Sequence, residues 1–448
     1  MYRMNDVSLN RQAFRILVLL GAVWTARAAP VDPSTHTAFL KCAACQLALV
    51  PHRGEGKTDD QIRRTQERIA SMPRPAPEIE RLGWLFVEKA RRSSDPGFYK
   101  LAEQCALCLE AEKPRANEAL LLRGHVLHSL HQFKEAETLA RELVQRRGLS
   151  FDYGLLGDIL LDQGRMSGAI EAYQKMLDER PDLHGYTRAA HIRWVKGDLE
   201  GALEMITLAI QTSSSTAPEA AAWVYSRAAI YLWQAGRLDE SLRSCDAALR
   251  MASDYAPALL ARGRILLGEG KISEAVGPLE KAAEISPLPE LQWALADALR
   301  AGGRTNEALA AEAKLHRRGA LADGRTYALF LATRGERLDQ AIRLAEEELK
   351  QRGDGFTHDA KAWVLSARQD QTGAAQEMRL ALAEGTQDAR LFFHAGVIAS
   401  RAHQDAEARS YLDRAAALAR MLYPSERVIL ERERAAFNQR VRLAAQEK

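Results

Sequence analysis

The amino-acid sequence predicts an all-α fold, a right-handed solenoid of about nine to ten helical hairpins. A small residue recurs at intervals of 33 or 34 residues, with a single longer step of 39. The series is Ala136, Ala169, Ala202, Ser241, Ala275, Ala308, Ala341, Ala375 and Ala408. A second residue precedes each member by twelve positions, and it is Gly or Ala except at Leu329 and Trp363. Two helices cross closely only where both side chains are small, so this spacing is typical of a helix-turn-helix repeat.

Turns and closing residues fit the same hairpin. Gly164, Gly236 and Gly303 stand between the two predicted helices, where a left-handed residue ends the first helix. Pro181 and Pro287 follow the second helix of their units. With these small, aromatic and proline positions, the chain resembles the tetratricopeptide repeat family over roughly residues 118–420. With the segments Arg81–Trp84 and Asp95–Tyr99, it is also similar to uncharacterised exported bacterial proteins of that family, a resemblance that implies no particular function.

The chain divides into five predicted segments. They are a signal peptide over 1–28, an N-terminal extension over 29–77, a degenerate first hairpin over 78–117, the repeat array over 118–424 and a polar capping helix over 425–448. Within the extension, residues 59–71 are predicted to form an amphipathic helix. The 39-residue step contains a Ser/Thr/Pro-rich insertion at 211–218, which is predicted to be a surface loop.

The N-terminus has the three parts of a secretory signal. Arg3, Arg11 and Arg15 precede an apolar run over 16–24, and an Ala-x-Ala site ends at Ala28. Removing 1–28 lowers the formal net charge from +3 to about zero, which argues against a nucleic-acid partner. We therefore expect a periplasmic or secreted protein of a Gram-negative-type bacterium, without stable membrane insertion after cleavage.

Four of the five cysteines form two C-x-x-C pairs, Cys42 with Cys45 and Cys105 with Cys108. In an oxidising compartment such thiols usually form disulfides, whose connectivity the sequence leaves open. A zinc site with four cysteine ligands is the alternative, but the 59 residues between the pairs exceed the usual gap. Haem attachment lacks its histidine, because Gln46 and Leu109 follow the pairs. Cys245 is expected to be a core thiol.

The sequence contains no motif of a hydrolase, a zinc protease or a nucleotide-binding enzyme, so we expect no enzymatic activity and no cofactor. Carried onto the repeat pattern, the first helices would line a concave partner-binding groove. The predicted groove residues are His125, His128, Asp158, Asp162, His191, Trp194, Arg227, Trp233, Arg264, Trp293, Asp297, Arg300 and Phe330. Two alternatives stay open, that the tryptophans belong to the core and that His125, His128 and His131 hold a metal.

These patterns predict an exported scaffold that binds a protein or peptide partner in its groove and assists assembly of a periplasmic or envelope system. The alternative is a metal- or redox-handling periplasmic protein that uses the C-x-x-C pairs or the histidine cluster.

Overall fold

The computed structural model describes residues 39–214 and 217–446, and the predicted signal peptide lies outside them. The described residues form α-helices and two short 3₁₀ turns, with no strand among them. The helices are α1 (Ala43–Ala48), α2 (Lys57–Ser71), α3 (Ala76–Ser93), α4 (Gly97–Glu112), α5 (Asn117–Ser129), α6 (Phe133–Arg146), α7 (Ser150–Asp162), α8 (Met166–Glu179), α9 (Leu183–Val195), α10 (Leu199–Gln211), α11 (Pro218–Gln234), α12 (Leu238–Met251), α13 (Ala256–Gly268), α14 (Ile272–Ile285), α15 (Pro289–Ala301), α16 (Thr305–Ala322), α17 (Gly324–Arg334), α18 (Leu338–Gln351), α19 (Gly355–Ala367), α20 (Gln371–Ala381), α21 (Ala389–Arg401), α22 (Asp405–Ala417) and α23 (Pro424–Gln446). In the described residues, no helix combines the length and apolar character that a membrane crossing requires.

Helices α3 to α22 pair in sequence as ten antiparallel hairpins, numbered here 1 to 10, and each has an A helix followed by a B helix. This confirms the predicted all-α solenoid. The predicted degenerate hairpin corresponds to α3 and α4, and the predicted capping helix to α23. The short helix α1 lacks a periodic pattern and was not predicted.

Small residues allow the two helices of a hairpin to approach. Gly157 of α7 faces the ring of Tyr173 on α8, and a Cβ atom at Gly157 would overlap that ring. In the same way, Gly263 of α13 faces the side chain of Leu279 on α14. The recurring residue of each B helix is fully buried where the register was predicted correctly, as at Ala169. The 34-residue pattern therefore reflects the close packing of the two helices within each hairpin.

The predicted register is wrong by one residue in hairpin 9. In the other B helices of the predicted series the recurring residue is the fourth of the helix, and in α20 that residue is Ala374, which is fully buried. Ala375 is only half-buried. Twelve positions before Ala374 stands Ala362, also fully buried, so the supposed exception at Trp363 disappears and Leu329 alone departs from the pattern. Because Ala374 and Ala375 are adjacent, either of them fits the 33- or 34-residue spacing of the series.

The solenoid curves so strongly that its two halves touch. The A–B turn of hairpin 3 meets the loop after hairpin 8, where the Gly353 backbone N–H donates to the Asp162 carbonyl oxygen (3.1 Å). A Cβ atom at Gly164 would overlap the Gly353 carbonyl. Three further contacts repeat this relation: Ser94 Oγ with Ser286 Oγ (2.7 Å), Thr386 Oγ1 with the Val195 carbonyl (2.6 Å), and Arg420 Nη2 with the Trp233 carbonyl (3.0 Å).

We call this row of contacts the seam. It joins the A–B turns of hairpins 1, 3, 4 and 5 to the loops that follow hairpins 6, 8, 9 and 10. One superhelical turn therefore comprises between five and six hairpins, and successive turns are in contact. The sequence predicted a concave groove and did not predict that successive turns of the superhelix would touch.

Candidate partner-binding surface

Side chains from both halves of the array approach one another on the inner side of the seam. Trp194 of α9 stacks on Phe356 of α19, with ring centroids 5.9 Å apart and planes 9° from parallel. His131, in the turn after α5, accepts a hydrogen bond at Nε2 from Arg352 Nη2 (3.1 Å). We call this region, between α5, α7, α9 and α11 on one side and α17 to α19 on the other, the inner surface.

A charged pair occupies the middle of the inner surface. Asp158 of α7 receives Arg188 Nε (2.8 Å), Arg188 Nη2 (2.5 Å) and the Tyr173 hydroxyl (2.8 Å). Burial alone would raise the pKa of Asp158, but the Arg188 guanidinium outweighs it and lowers the pKa. Both side chains keep about a quarter of their surface exposed, at 25% and 24%. Asp158 and Arg188 therefore form a partly hydrated ion pair that satisfies both charges.

Three histidines of the inner surface have pKa values well below the usual value of about 6.5. Burial lowers the pKa of His125 to about 3, and it lowers the pKa values of His131 and His191 to about 4. Neighbouring cations act in the same direction, Arg352 on His131 and Arg227 on His191. Neutral imidazoles add hydrogen-bonding capacity without net charge.

Arg227 of α11 differs from the other inner arginines. Its guanidinium carbon lies 5.2 Å from the Tyr231 ring centroid and 5.8 Å from that of Trp194, and Nη2 donates to the Tyr231 hydroxyl (3.2 Å). Among the described residues no carboxylate forms an ion pair with Arg227, and its side chain is half-buried. Aromatic rings thus hold a partly exposed cation whose remaining donors are available to an anion.

Two further polar atoms on the inner side of the seam lack partners. Arg352 Nε and Gln163 Nε2 are buried and make no hydrogen bond. Gln163 and Arg352 belong to the turn and the loop that meet at the contact of hairpins 3 and 8. Buried donors are normally satisfied by protein or by ordered water, and these two lie too deep for a docked partner to reach.

The predicted groove residues separate into two main groups. His125, His128, Asp158, Asp162, His191 and Arg227 lie half-buried on the inner surface, where His128 Nε2 contacts Asp162 Oδ2 at 2.9 Å. The structure buries Trp194, Trp233, Trp293, Asp297 and Phe330 among other residues of the chain. For the tryptophans this is the core alternative: Trp293 packs against Phe330 and Tyr423, with centroids 5.7 and 5.0 Å away.

The last two predicted residues, Arg264 and Arg300, lie outside the inner surface, as does the buried Asp297. Arg264 donates from Nη2 to the Met421 carbonyl oxygen (3.1 Å) and lies over the Tyr423 ring. Arg300 is exposed and pairs with Glu312 (2.7 Å). Asp297 is buried and accepts from Arg334 (2.8 Å) and from the Ser425 backbone (2.9 Å). The beginning of α23 thus fills the space between hairpins 6 and 7.

Sequence reasoning missed Arg188, Arg352 and Phe356. Arg188 stands two residues before Ala190, as Arg227 does before Ala229, so its position in the repeat was a usable signal. The others lie in or beside loops, and they reach the inner surface only through the pitch of the superhelix. The repeat length does not reveal that pitch.

The cysteines meet between α1 and α4. The Sγ atoms of Cys45 and Cys108 lie at bonding distance, with Cα atoms 4.8 Å apart. Cys42 Sγ is 2.9 Å from Cys45 Sγ. Cys105 is fully buried, and its Cβ faces Gly83 of α3, 3.2 Å from where a Cβ atom would stand.

A metal site needs converging ligand atoms. Within the described part of the chain, three such side chains converge only at Cys42, Cys45 and Cys108. The three histidines of the N-terminal repeat diverge, because His125 packs on Trp84, His128 contacts Asp162 and His131 contacts Arg352. Cys245 is buried in α12.

A model of the tetratricopeptide repeat family matches residues 153–184, 187–256 and 226–288. These residues extend from α7 to the end of α14 and consist of tetratricopeptide repeats, as the spacing predicted.

Several solved structures are similar to parts of this chain. Human IFIT1, solved as a dimer with PPP-AAAA, is 13% identical with a TM-score of 0.46, over 73% of this chain and 78% of that one. Pseudomonas aeruginosa pilF is 15% identical with a TM-score of 0.39, over 49% and 99%. MamA is 20% identical with a TM-score of 0.30, over 38% and 91%. No curated protein sequence matches the chain.

Proposed function

We propose that this protein is an exported scaffold that binds a protein or peptide segment on its inner surface and assists assembly of an envelope system. The observation that carries the proposal is Arg227, a half-buried cation on an aromatic support that no carboxylate of the described chain neutralises. A fold of packed helical hairpins supports binding by a prebuilt surface.

The donors of the inner surface favour a peptide that carries a carboxylate. Arg227 would pair with that carboxylate, since a guanidinium presents several N–H donors in a fixed plane. The other charged side chains nearby already have partners within the chain, as in the Asp158–Arg188 pair. They would define the shape of the binding surface more than the affinity for the peptide.

Export rests on the predicted signal peptide over 1–28. The basic start, the apolar run and the Ala-x-Ala site support it. A partner in the periplasm or at the envelope follows from that location, and the near-neutral charge of residues 29–448 supports a protein partner over a nucleic acid.

The proposal is tested by mild crosslinking of the protein in its native envelope fraction, followed by affinity purification and mass spectrometry. We expect a small set of partners that is strongly depleted by Arg227→Gln, because the substitution removes the cation and keeps a polar side chain. Loss of a charge-assisted contact of this kind corresponds to a roughly tenfold or larger drop in affinity.

Arg243→Gln is the matched control, since Arg243 lies exposed on α12 outside the inner surface. Helical circular dichroism verifies that both variants fold. Equal partner recovery from both variants would contradict the assignment of Arg227. The earlier candidates Trp233 and Trp293 are unsuitable for this test, because truncating buried rings costs about 3–5 kcal/mol of stability.

A further inference from the structure

The cluster of Cys42, Cys45 and Cys108 lies apart from the inner surface. Cys45 and Cys108 are buried at 0% and 1% exposure, so a thiol in solution has little direct access to either sulfur. Cys42 is half-buried, and its Sγ lies 2.9 Å from Cys45 Sγ. The three sulfur atoms lie within 4.8 Å of one another. A free thiol thus stands beside a bonded pair that solvent reaches poorly.

We propose that this cluster is a thiol–disulfide exchange site whose substrates are thiols and whose exchanging group is Cys42. The Cys42 thiolate attacks Cys45 Sγ, the Cys42–Cys45 bond forms, the Cys45–Cys108 bond breaks and Cys108 leaves as a thiolate that takes up a proton. This step is an isomerisation and needs no external oxidant or reductant.

After this exchange the disulfide includes Cys42 Sγ, and Cys42 is only half-buried. An external thiolate R–S⁻ then attacks Cys42 Sγ and displaces Cys45, and a second R–S⁻ attacks the R sulfur and displaces Cys42. The balance is two R–SH oxidised to R–S–S–R while one protein disulfide is reduced to two thiols. Cys42 is therefore the route by which a reductant opens the buried bond.

The arrangement argues against a four-cysteine metal site. Cys105, the fourth cysteine of the motif, is outside the converging group, and its Cβ faces Gly83 of α3. Burial also raises the pKa of the Cys105 thiol, so it remains protonated and does not compete with Cys42 as a nucleophile. Three sulfurs suffice for exchange, whereas a structural zinc site needs a fourth ligand.

Exchange would change how the N-terminal segment is held. The Cys45–Cys108 bond ties α1 to α4, and the Cys42–Cys45 bond closes within residues 42–45 and releases that tie. After release, Gln66 of α2 still holds the segment by donating from Nε2 to the carbonyl oxygens of Ala48 (3.2 Å) and Val50 (2.9 Å). The segment would loosen while the array stays folded.

The test uses the purified oxidised protein at mildly alkaline pH. Samples are alkylated, digested without reduction and analysed by mass spectrometry, and reduction by glutathione is followed over time. We expect two species, one with Cys45–Cys108 linked and one with Cys42–Cys45 linked and Cys108 alkylated. In Cys42→Ser only the first species should occur, and glutathione should reduce it roughly tenfold more slowly.

Serine at position 42 keeps an acceptor for the Cys45 backbone N–H, which Cys42 Sγ now caps at 3.3 Å, so the variant should fold. Cys245→Ala is the control, because Cys245 is buried in the core of the array and should affect neither species nor rate. A single Cys45–Cys108 species with equal reduction rates in wild type and Cys42→Ser would overturn the proposal. Stoichiometric zinc bound to reduced thiols would overturn it as well.

Discussion

At the scale of single residues, the inner surface combines charges that are matched with groups that are not. Asp158 and Arg188 satisfy each other, and Asp162 accepts from His128. Arg227 lies against the rings of Trp194 and Tyr231 and donates to the Tyr231 hydroxyl, and it has no carboxylate partner among the described residues. Arg227 is a charged group that both solvent and a partner reach, and such a group is a natural location for recognition, because a ligand that completes it adds affinity and selectivity together.

The neutral histidines predict acid sensitivity. Burial, and then Arg227, lowers the pKa of His191 to about 4, below the value of about 6.5 in an unfolded chain. Between those two values the unfolded state binds more protons, so stability present above pH 6.5 is lost as the pH falls toward 4. We expect His191→Gln to reduce the loss of unfolding free energy between pH 7 and pH 5 by on the order of 1 kcal/mol.

The measurement is urea denaturation at both pH values. His403→Gln serves as the control, since His403 is exposed at the A–B turn of hairpin 10. An unchanged pH dependence in His191→Gln would show that His191 is not held neutral by the fold.

At the scale of the helices and turns, local pattern predicted most of what the structure contains. Spacing located nine of the ten hairpins, because each small residue marks a helix crossing within one hairpin, and the first hairpin was predicted separately as a degenerate unit. It erred at Ala374, where a neighbouring alanine fits the same period. It missed α1, whose position depends on contact with α4 and not on its own sequence. The spacing also did not show which tryptophans are exposed to a partner. Periodicity predicts that a side chain points inward, but it does not show whether other residues of the chain cover that side chain.

The seam depends on backbone contacts that a side chain would block. Gly353 lies in the loop after hairpin 8, and an added Cβ atom would stand 2.7 Å from the Gln163 carbonyl oxygen. Because backbone cannot move aside cheaply, we expect Gly353→Ala to lower the free energy of unfolding by about 1–3 kcal/mol. Chemical denaturation followed by circular dichroism measures the change.

Gly168→Ala is the matched control. A Cβ atom at Gly168 of α8 would lie 3.2 Å from Cδ1 of Leu160, the end of a flexible side chain. Alanine also favours the helix by about 1 kcal/mol over glycine, so this variant should be neutral or stabilised. A similar effect of both substitutions would mean that the seam contributes nothing to stability.

At the scale of the whole molecule, closure distinguishes this array from an open solenoid. In an open array each repeat contacts only its neighbours, and stability is a sum of local terms. Here the turns of hairpins 1, 3, 4 and 5 also contact loops more than five hairpins away. Helix α23 contacts hairpin 7 through Ser425 and Asp297, and hairpin 6 through Arg427 and the Leu267 carbonyl. The sequence does not encode this closure as a pattern, since small rotations between hairpins accumulate into the pitch.

Closure predicts cooperative unfolding of the whole array. Because the two halves of the array contact each other across the seam, unfolding of one half removes contacts that stabilise the other half. The wild type should therefore show one urea transition, which circular dichroism and tryptophan fluorescence report at the same urea concentration.

The double variant Gly353→Ala, Thr386→Val tests this cooperativity. It blocks the close approach of the backbone at Gly353 and removes the buried hydrogen bond from Thr386 Oγ1 to the Val195 carbonyl. We expect its two probes to separate and its denaturant slope to fall, because the halves then unfold in turn. Small-angle scattering should record a larger radius of gyration for the double variant under native conditions. Coincident transitions with an unchanged radius would show that neighbour contacts alone hold the array in its closed form.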